Sequence, residues 1–208
     1  LNLKNEEYIN NHFIVMCTKQ GIIKKTSLEA YSRPRVNGIN AITIREGDTL
    51  LEAKLTNGEQ DIMMAVRSGK AIRFPESKVR SMGRIASGVR AITVDSENDE
   101  VVGMIVVKEG DGYDVMVVSE KGYGKRSALE DYRITNRGGK GVKTITVTDQ
   151  TGELVSLKAG DEIASIAKVP ASEEEEEVEG SEGAEGVEGT TDTAAAEGSN
   201  ESAPESEE

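Results

Sequence analysis

The heptapeptide Gly88-Val89-Arg90-Ala91-Ile92-Thr93-Val94 occurs three times in near-identical form. The other copies are Gly38-Ile39-Asn40-Ala41-Ile42-Thr43-Ile44 and Gly141-Val142-Lys143-Thr144-Ile145-Thr146-Val147, so successive copies begin 50 and 53 residues apart. A period of about 50 residues is typical of repeat proteins, in which each unit forms one supersecondary element. The β-branched residues of the heptapeptide predict one strand in each repeat.

Each repeat contains three further strand candidates around this heptapeptide. An apolar run opens the repeat and ends at a turn glycine (Gly21, Gly69 or Gly122), which suits the positive φ of a tight hairpin. A second strand with basic residues follows the turn, and a last strand follows the heptapeptide. The opening strands begin at Phe13, Asp61 and Tyr113, and the closing strands cover Leu50 to Leu55, Val101 to Val107 and Glu153 to Leu157.

Four short strands per repeat predict an all-β fold, a β-pinwheel or propeller-like repeat of four-stranded blades. About three blades are predicted, and they must stack because one blade cannot cover both faces of its sheet. The predicted divisions are residues 1–12 as the end of a preceding blade or a linker, 13–60 and 61–112 as blades, 113–170 as a blade plus a closing strand, and 172–208 as an acidic tail.

Charge is distributed unevenly along the chain. The 208 residues include 25 Lys and Arg against 38 Asp and Glu, a formal net charge of −13. Residues 172–208 hold 15 of the acidic residues and no basic ones, so the rest of the chain has 23 acidic residues and a charge of +2. The tail has too few apolar residues to offset its ordering entropy, and we expect it to be disordered. The overall acidity therefore does not exclude an anionic partner.

Two closing-strand candidates follow each other at the end of the third repeat. Residues 161–169 resemble residues 99–107 of the second repeat, yet they come directly after another closing strand. Either residues 161–169 form an extra edge strand, or most of a blade is missing near residues 158–160. Together with the start at Leu1, this pattern suggests a fragment of a longer protein.

The loop between the second strand and the heptapeptide is basic in every repeat. Glycines in these loops allow backbone N–H groups to approach an anion beside the cationic side chains. Because the loops occupy equivalent places on successive blades, we expect their charges to form a stripe that contacts nucleic-acid phosphates. The alternative is that they are ordinary solvated charges. The expected phosphate contacts are Arg33, Arg35, Arg80, Arg84, Arg90, Arg126, Arg137, Lys140 and Lys143.

No residue pattern predicts catalysis in this chain. The carboxylates are spread over turns without a convincing pair. Gly139-Lys140-Gly141 is not a phosphate-binding P-loop, because no Ser or Thr follows the lysine and the segment precedes a strand. His12 and Cys17 each stand alone, so neither a metal site nor a disulfide is predicted. We expect no catalytic residue, metal or cofactor here, and no apolar run approaches the ~18 residues of a membrane span.

The repeat resembles the C-terminal, DNA-wrapping domain of the A subunit of DNA gyrase, a bacterial type IIA topoisomerase. The resemblance covers about residues 10–170, and the acidic tail also resembles gyrase A chains. The marker of this family is the gyrase-A box, Gln-Arg-Arg-Gly-Gly-Lys-Gly. Arg137-Gly138-Gly139-Lys140-Gly141 matches its last five positions, whereas Thr135-Asn136 replaces Gln-Arg. The segments that carry the resemblance are residues 119–126, 129–133 and 136–142, with residues 81–90 as the same loop in another blade.

The resemblance implies a six-bladed pinwheel in the parent protein, whose basic rim bends and wraps duplex DNA and so supports ATP-dependent negative supercoiling. It places the catalytic tyrosine outside this chain, and ATP and Mg elsewhere in the holoenzyme. The implied partners are duplex DNA, the rest of the gyrase A polypeptide and the gyrase B polypeptide in an A2B2 assembly, in the bacterial cytoplasm at the nucleoid. The alternatives are the counterpart domain of topoisomerase IV and a protein-binding β-propeller. As a tethered polyanion, the acidic tail could also compete with DNA for the rim.

Overall fold

The computed structural model describes residues 5–96, 98–108, 110 and 112–160. The predicted tail at 172–208 and the second closing-strand candidate at 161–169 lie outside this range. Within residues 1–12, a short helix α1 (Glu6–Asn10) precedes the first strand, and the side chain of Asn5 caps it by accepting from the Tyr8 N–H at 3.0 Å. The remaining helical segments of the described residues are short 3₁₀ turns at Leu28–Tyr31, Glu76–Lys78 and Leu129–Asp131.

Eleven strands follow α1 in the described part of the chain. All the sheet pairings between them are antiparallel. The all-β prediction is therefore confirmed. The strands of the first repeat are β1 (Phe13–Thr18), β2 (Ile22–Ser27) and β3 (Leu50–Thr56); those of the second are β4 (Asp61–Val66), β5 (Lys70–Pro75), β6 (Val89–Arg90) and β7 (Val101–Val107); those of the third are β8 (Asp114–Ser119), β9 (Gly124–Ala128), β10 (Val142–Lys143) and β11 (Leu154–Ala159).

These strands form three sheets that exchange strands between repeats. The strand order is β3-β1-β2-β6 in the first sheet, β10-β5-β4-β7 in the second and β11-β8-β9 in the third. The outermost strand β6 comes from the second repeat but pairs with β2, with Val89 opposite Ile23 and Arg90 opposite Ile22. Strand β10 joins β5 of the second repeat in the same way. A sheet therefore combines residues of two successive repeats.

The expectation that each heptapeptide forms a full strand within its own blade is wrong. Only two residues of the second and third copies are strand, and both copies pair with the preceding repeat. The first copy, residues 38–44, contains no assigned strand. The exchange of strands between repeats is the physical reason. After the two paired residues, the chain turns toward the hairpin glycine of the preceding repeat, and the Ala91 N–H donates to the Gly21 carbonyl at 2.8 Å.

The core consists of two apolar layers, one on each side of the second sheet. Every residue of β4 is buried, as its unbroken apolar run predicts. Ile62 and Met64 belong to the layer shared with the first sheet, whereas Met63 and Ala65 belong to the layer shared with the third. Alternate side chains of this strand thus pack against the two neighbouring blades, and the blades stack face to face.

Candidate nucleic-acid interface

The structure places most of the nine expected phosphate contacts at the surface. Eight of the nine side chains are exposed, and Arg84 is half-buried. Eight lie in or next to the loops that lead into the three heptapeptides, whereas Arg126 lies within strand β9. The contacts of these cations divide them into a group already engaged with protein atoms and a group free to bind another molecule.

Arg84 and Arg137 form the same contact in successive repeats. Arg84 Nη1 donates to the carbonyl of Asn40 at 3.3 Å, and Arg137 Nη1 donates to the carbonyl of Arg90 at 3.0 Å. Both acceptors lie two residues after the heptapeptide glycine of the preceding repeat. Arg137 Nε also donates to the carbonyl of Lys78 at 3.0 Å. These two arginines therefore connect each basic loop to the loop before it.

The glycines of the box-like loop serve the same connection. Gly138 has a φ of +86°. Its N–H donates to the carbonyl of Ala91 at 2.6 Å, and the Gly139 carbonyl accepts from the Thr93 N–H at 2.8 Å. Thr93 Oγ1 also donates to the Gly138 carbonyl at 2.8 Å. The N–H of Gly138 is thus used within the protein, in contrast to the expectation that such loop N–H groups face an anion.

Lys140, the basic residue of the box-like loop, faces a carboxylate. Lys140 Nζ lies 3.2 Å from one oxygen of Asp95, and Lys70 forms a salt bridge with the other oxygen. Hydrogen bonds from Lys70 and then from Lys140 hold the pKa of the Asp95 carboxyl below its usual value. Asp95 therefore stays charged near neutral pH and offsets part of the positive charge of this loop. Sequence reasoning missed it, because Asp95 follows the heptapeptide and lies 45 residues before Lys140.

Arg126 differs from the other eight residues in its surroundings. Its guanidinium forms a salt bridge with Asp114 on the neighbouring strand β8. The equivalent residues of the first two repeats, four positions after the turn glycine, are Lys25 and Arg73, and both are buried. Arg73 pairs with Asp61 in the same way, with Nε 2.8 Å from the carboxylate. In the other two repeats, the equivalent residue therefore lies buried where neighbouring blades meet.

The remaining cations are free within the described part of the chain. They are exposed, and none of their side chains makes an ion pair or hydrogen bond with a described residue. Arg90 and Lys143 stand at equivalent places on the exchanged strands β6 and β10, so the repeat presents them in the same way. A surface of this kind offers positive charge to a polyanion without internal compensation. The free cations are Arg33, Arg35, Arg80, Arg90 and Lys143.

Comparison with known proteins identifies the repeat. The family model described as DNA gyrase C-terminal domain, β-propeller, matches residues 12–57, 60–108 and 113–170, one segment for each repeat. The chain belongs to this family. The A polypeptide of DNA gyrase from Staphylococcus aureus, in strains MRSA252 and NCTC 8325, is 42% identical to this chain over 168 residues. The match covers 76% of this chain but only 19% of those relatives, so the chain spans about a fifth of their length.

Solved structures show the same fold. The C-terminal domain of DNA topoisomerase IV matches 72% of this gyrase C-terminal domain with a TM-score of 0.67, and 46% of that chain is covered. A DNA gyrase A C-terminal domain matches 74% of it with a TM-score of 0.64, and 50% of that chain is covered. Both are 23% identical in sequence, so they support the propeller-like fold alone.

Other kinds of site are not apparent in the described residues of this gyrase C-terminal domain. No group of three or more His, Cys, Asp and Glu side chains there is placed to hold a metal ion. None of the helices in that part is long and apolar enough to cross a bilayer. The candidate site is thus the set of loops and exchanged strands that carry the free cations.

Proposed function

We propose that this gyrase C-terminal domain binds duplex DNA through its free cations and bends the duplex around the blades. The observation that carries the proposal is the set of five exposed, uncompensated cations on the loops and exchanged strands, Arg33, Arg35, Arg80, Arg90 and Lys143. Arg90 and Lys143 are equivalent in successive repeats, so a duplex that follows the stack of blades meets a cation at the same place on the second and third repeats. Arg84, Arg126, Arg137 and Lys140 belong to the proposed contact surface as well, but they already have partners in the protein.

The proposed contacts are with phosphates rather than with base edges. Lys and Arg side chains in a row neutralise the DNA backbone without reading its sequence, and the release of counterions makes such binding strongly dependent on salt. Smooth bending of a 20–30 base-pair site costs about 1–6 kcal/mol, so several contacts are needed to offset it. Five to nine cations on adjacent blades meet this requirement.

Salt titration of binding to a duplex of about 40 base pairs tests the proposal. Five phosphate contacts predict that affinity falls about 10²–10³-fold between 50 and 200 mM salt. Arg90→Gln and Lys143→Gln should each reduce the slope of log affinity against log salt by about 1. Lys19→Gln is the matched control, because the half-exposed Lys19 pairs with Glu100 at 3.1 Å on a hairpin turn. Affinity that does not change with salt would contradict phosphate binding.

Bending is tested separately with dyes at the two ends of the same duplex. Energy transfer should rise on binding, because a bent duplex brings its ends together. Binding without any change in transfer would retain phosphate contact but exclude wrapping.

In the whole protein, we propose that the domain acts with the rest of the gyrase A polypeptide and with the gyrase B polypeptide in an A2B2 assembly in the bacterial cytoplasm. There it presents bent DNA to the catalytic part and so supports ATP-dependent negative supercoiling. We assign no catalytic residue or cofactor to this chain. The 42% identity to gyrase A chains favours gyrase over the topoisomerase IV counterpart.

A protein-binding propeller is the second candidate. Val36 and Ile85, both in the basic loops, are exposed apolar side chains, at 105% and 76% relative accessibility. Isolated exposed apolar residues are common, so this observation carries less weight than the free cations. If the domain binds a protein instead of DNA, Val36→Ser and Ile85→Ser should abolish that binding, whereas Arg90→Gln should leave it unchanged.

A further inference from the structure

Successive basic loops are joined through one backbone carbonyl, that of the third residue after the heptapeptide glycine. Between the second and third repeats this carbonyl belongs to Ala91, and it accepts the Gly138 N–H at 2.6 Å. Gly138 makes this bond with a φ of +86°, which a β-branched residue adopts only with strain. The connection between these two loops therefore depends on a glycine.

Between the first and second repeats the equivalent loop lacks this glycine. Ile85 stands at the position of Gly138, three residues before the heptapeptide glycine. Thr43 Oγ1 still donates to the Ile85 carbonyl at 2.7 Å, as Thr93 Oγ1 does to the Gly138 carbonyl. The Ile85 N–H, however, makes no hydrogen bond with any residue of the described ranges. The direct bond from loop to loop is thus missing here.

Lys24 makes the missing connection with its side chain. Its Nζ donates to the Ala41 carbonyl at 2.6 Å, the equivalent of the Ala91 carbonyl, and also to the Arg84 carbonyl. The Arg84 carbonyl belongs to the peptide unit that links Arg84 to Ile85. The corresponding peptide unit of the next repeat is the one that contains the Gly138 N–H. One ammonium group therefore joins the two peptide units that the glycine joins directly.

The residue at the place of Lys24 differs between repeats in step with this connection. In the second repeat Ile72 occupies the place, three residues after the turn glycine, and its Cδ1 lies 3.6 Å from the position of a Cβ atom on Gly139. In the third repeat Lys125 occupies it, with Nζ 3.5 Å from the carbonyl of Thr144, the third residue after its heptapeptide glycine. An apolar residue thus replaces the lysine where a glycine N–H is the donor.

A tyrosine accompanies each of the two lysines. Tyr31 Oη donates to the same Ala41 carbonyl at 3.1 Å, and Tyr132, at the equivalent place, forms a hydrogen bond with the Thr144 hydroxyl. Val79 takes this place in the second repeat, where the glycine N–H is the donor. The polar pair of lysine and tyrosine therefore alternates as a unit with an apolar pair.

Stability of the blades does not account for a lysine at this position. The Lys24 side chain is fully buried and forms no ion pair with a carboxylate of the described ranges. A buried ammonium without a carboxylate costs free energy that an apolar side chain of similar size does not. Burial lowers the pKa of the Lys24 ammonium, and the charge of Arg84 lowers it further. What the charged group provides is the bond between the two loops.

We propose that Lys24 is a positioning residue of the DNA-binding surface, because its ammonium fixes the basic loop of the second repeat against the heptapeptide of the first. That loop carries the free cation Arg80 and the guanidinium of Arg84. Lys24 is buried and does not itself contact phosphate. A loop held in place before binding loses less conformational entropy when it binds. Since this role concerns phosphate contacts, it rests on the proposed function.

Salt titration with the duplex of about 40 base pairs tests the role. Lys24→Ile should reduce the slope of log affinity against log salt by about 1 to 2, because the contacts of Arg80 and Arg84 are lost. The urea midpoint of the variant should stay the same or rise, because a buried charge is removed. Lys19→Gln is the control for the loss of one positive charge, and it should leave the slope unchanged.

A glycine connection built into the first loop tests the geometry. Lys24→Ile combined with Ile85→Gly and Ala86→Gly reproduces the residues that connect the second and third repeats. This triple variant should recover the slope of the unaltered chain. The two glycine substitutions with Lys24 retained are the matched control, and they should not raise the affinity.

Hydrogen exchange without DNA gives a readout that does not depend on the proposed function. Amides of residues 82–88 should exchange faster in Lys24→Ile and at the original rate in the triple variant. Binding of the unaltered chain that does not change with salt would reject the proposed function and leave this readout intact. The role of Lys24 is overturned by unchanged exchange, by an unchanged slope in Lys24→Ile, or by a lower slope accompanied by a lower urea midpoint. A triple variant that binds no better than Lys24→Ile also overturns it, as does a glycine pair that raises affinity by itself.

Discussion

Arg137 donates a hydrogen bond from Nη1 to the carbonyl oxygen of Arg90, 3.0 Å away. Arg84 holds the carbonyl of Asn40 in the repeat before it. The arginine of the box-like loop therefore keeps the neighbouring free cation, Arg90, in place. A residue expected to contact phosphate thus also has a structural role one blade away.

Arg137→Lys should separate these two roles. Lysine keeps the charge but cannot reach both the Arg90 and Lys78 carbonyls with the fixed fork of a guanidinium. We expect the free energy of unfolding to fall by about 1 kcal/mol, a small value because the side chain is exposed. Urea unfolding measures it, with Arg80→Lys as the control because Arg80 has no partner among the described residues. If the two variants are equally stable, Arg137 contributes only charge.

Glu76→Leu should be strongly destabilising, although leucine stands at the equivalent places Leu28 and Leu129. Glu76 is fully buried, lies 3.3 Å from Lys25 Nζ, and accepts from Thr56 Oγ1 at 2.7 Å. Leucine would leave the Lys25 ammonium buried without its partner, which costs about 3–5 kcal/mol. Calorimetric melting should show Glu76→Gln to be less harmful, because the amide oxygen still accepts hydrogen bonds. A thermally neutral Glu76→Leu variant would contradict the role of this pair.

Lys24 should make stability depend on alkaline pH. It is fully buried, and its Nζ donates to the carbonyl of Ala41 at 2.6 Å and to that of Arg84. Burial lowers the pKa of the Lys24 ammonium, and the charge of Arg84 lowers it further. Between the folded and unfolded pKa values the unfolded chain binds more protons, so stability rises with pH in that window.

The comparison with Lys24→Met isolates this effect, because the variant lacks the titrating group and Ile72 shows that an apolar side chain fits the equivalent place. The unaltered chain should gain stability relative to the variant as pH rises toward the ordinary lysine pKa of about 10.4. Urea unfolding at stepped pH measures the difference. A constant difference would show that the pKa of Lys24 is the same in both states.

Cys17 should be unreactive in the folded protein. Burial raises the pKa of its thiol to about 12, and the Glu52 carboxylate adds to the shift. Since the thiolate is the reactive form, a thiol reagent at about pH 8 should label Cys17 only at the rate at which the chain opens. Labelling in urea should be complete and fast. Rapid labelling without denaturant would show that the layer around Cys17 opens readily.

The acidic tail should weaken DNA binding at low salt. Residues 172–208 carry 15 acidic and no basic side chains, and the tether gives them a high effective concentration near the free cations. A chain that ends after Pro170 should bind DNA more tightly at about 50 mM salt, with the gain disappearing at about 300 mM as charges are screened. A tail in which Glu is replaced by Gln is the control for length. Unchanged affinity would leave the tail a solubilising role.

Sequence periodicity was sufficient to establish the repeat and three of the four strand candidates in each unit. The heptapeptides, the turn glycines and the unbroken apolar run of β4 are local signals, because a strand buried on both faces requires apolar residues throughout and a tight hairpin requires glycine. For the same reason the loops with Arg33, Arg80 and Arg90 could be found from charge and position alone.

Pairing between repeats follows from long-range contacts that no local sequence pattern shows. The heptapeptide has the same sequence whether it joins its own blade or the preceding one, and the choice depends on the close approach of Gly88 to Ile23. Long-range contacts also separate the cations that have partners from the free ones. In the sequence, Arg137, Lys140 and Arg126 look as free as Arg90. The fold places them beside the Arg90 carbonyl, Asp95 and Asp114, respectively. Local composition determined which residues this protein has at its surface, and long-range contacts determined which of them remain free to bind.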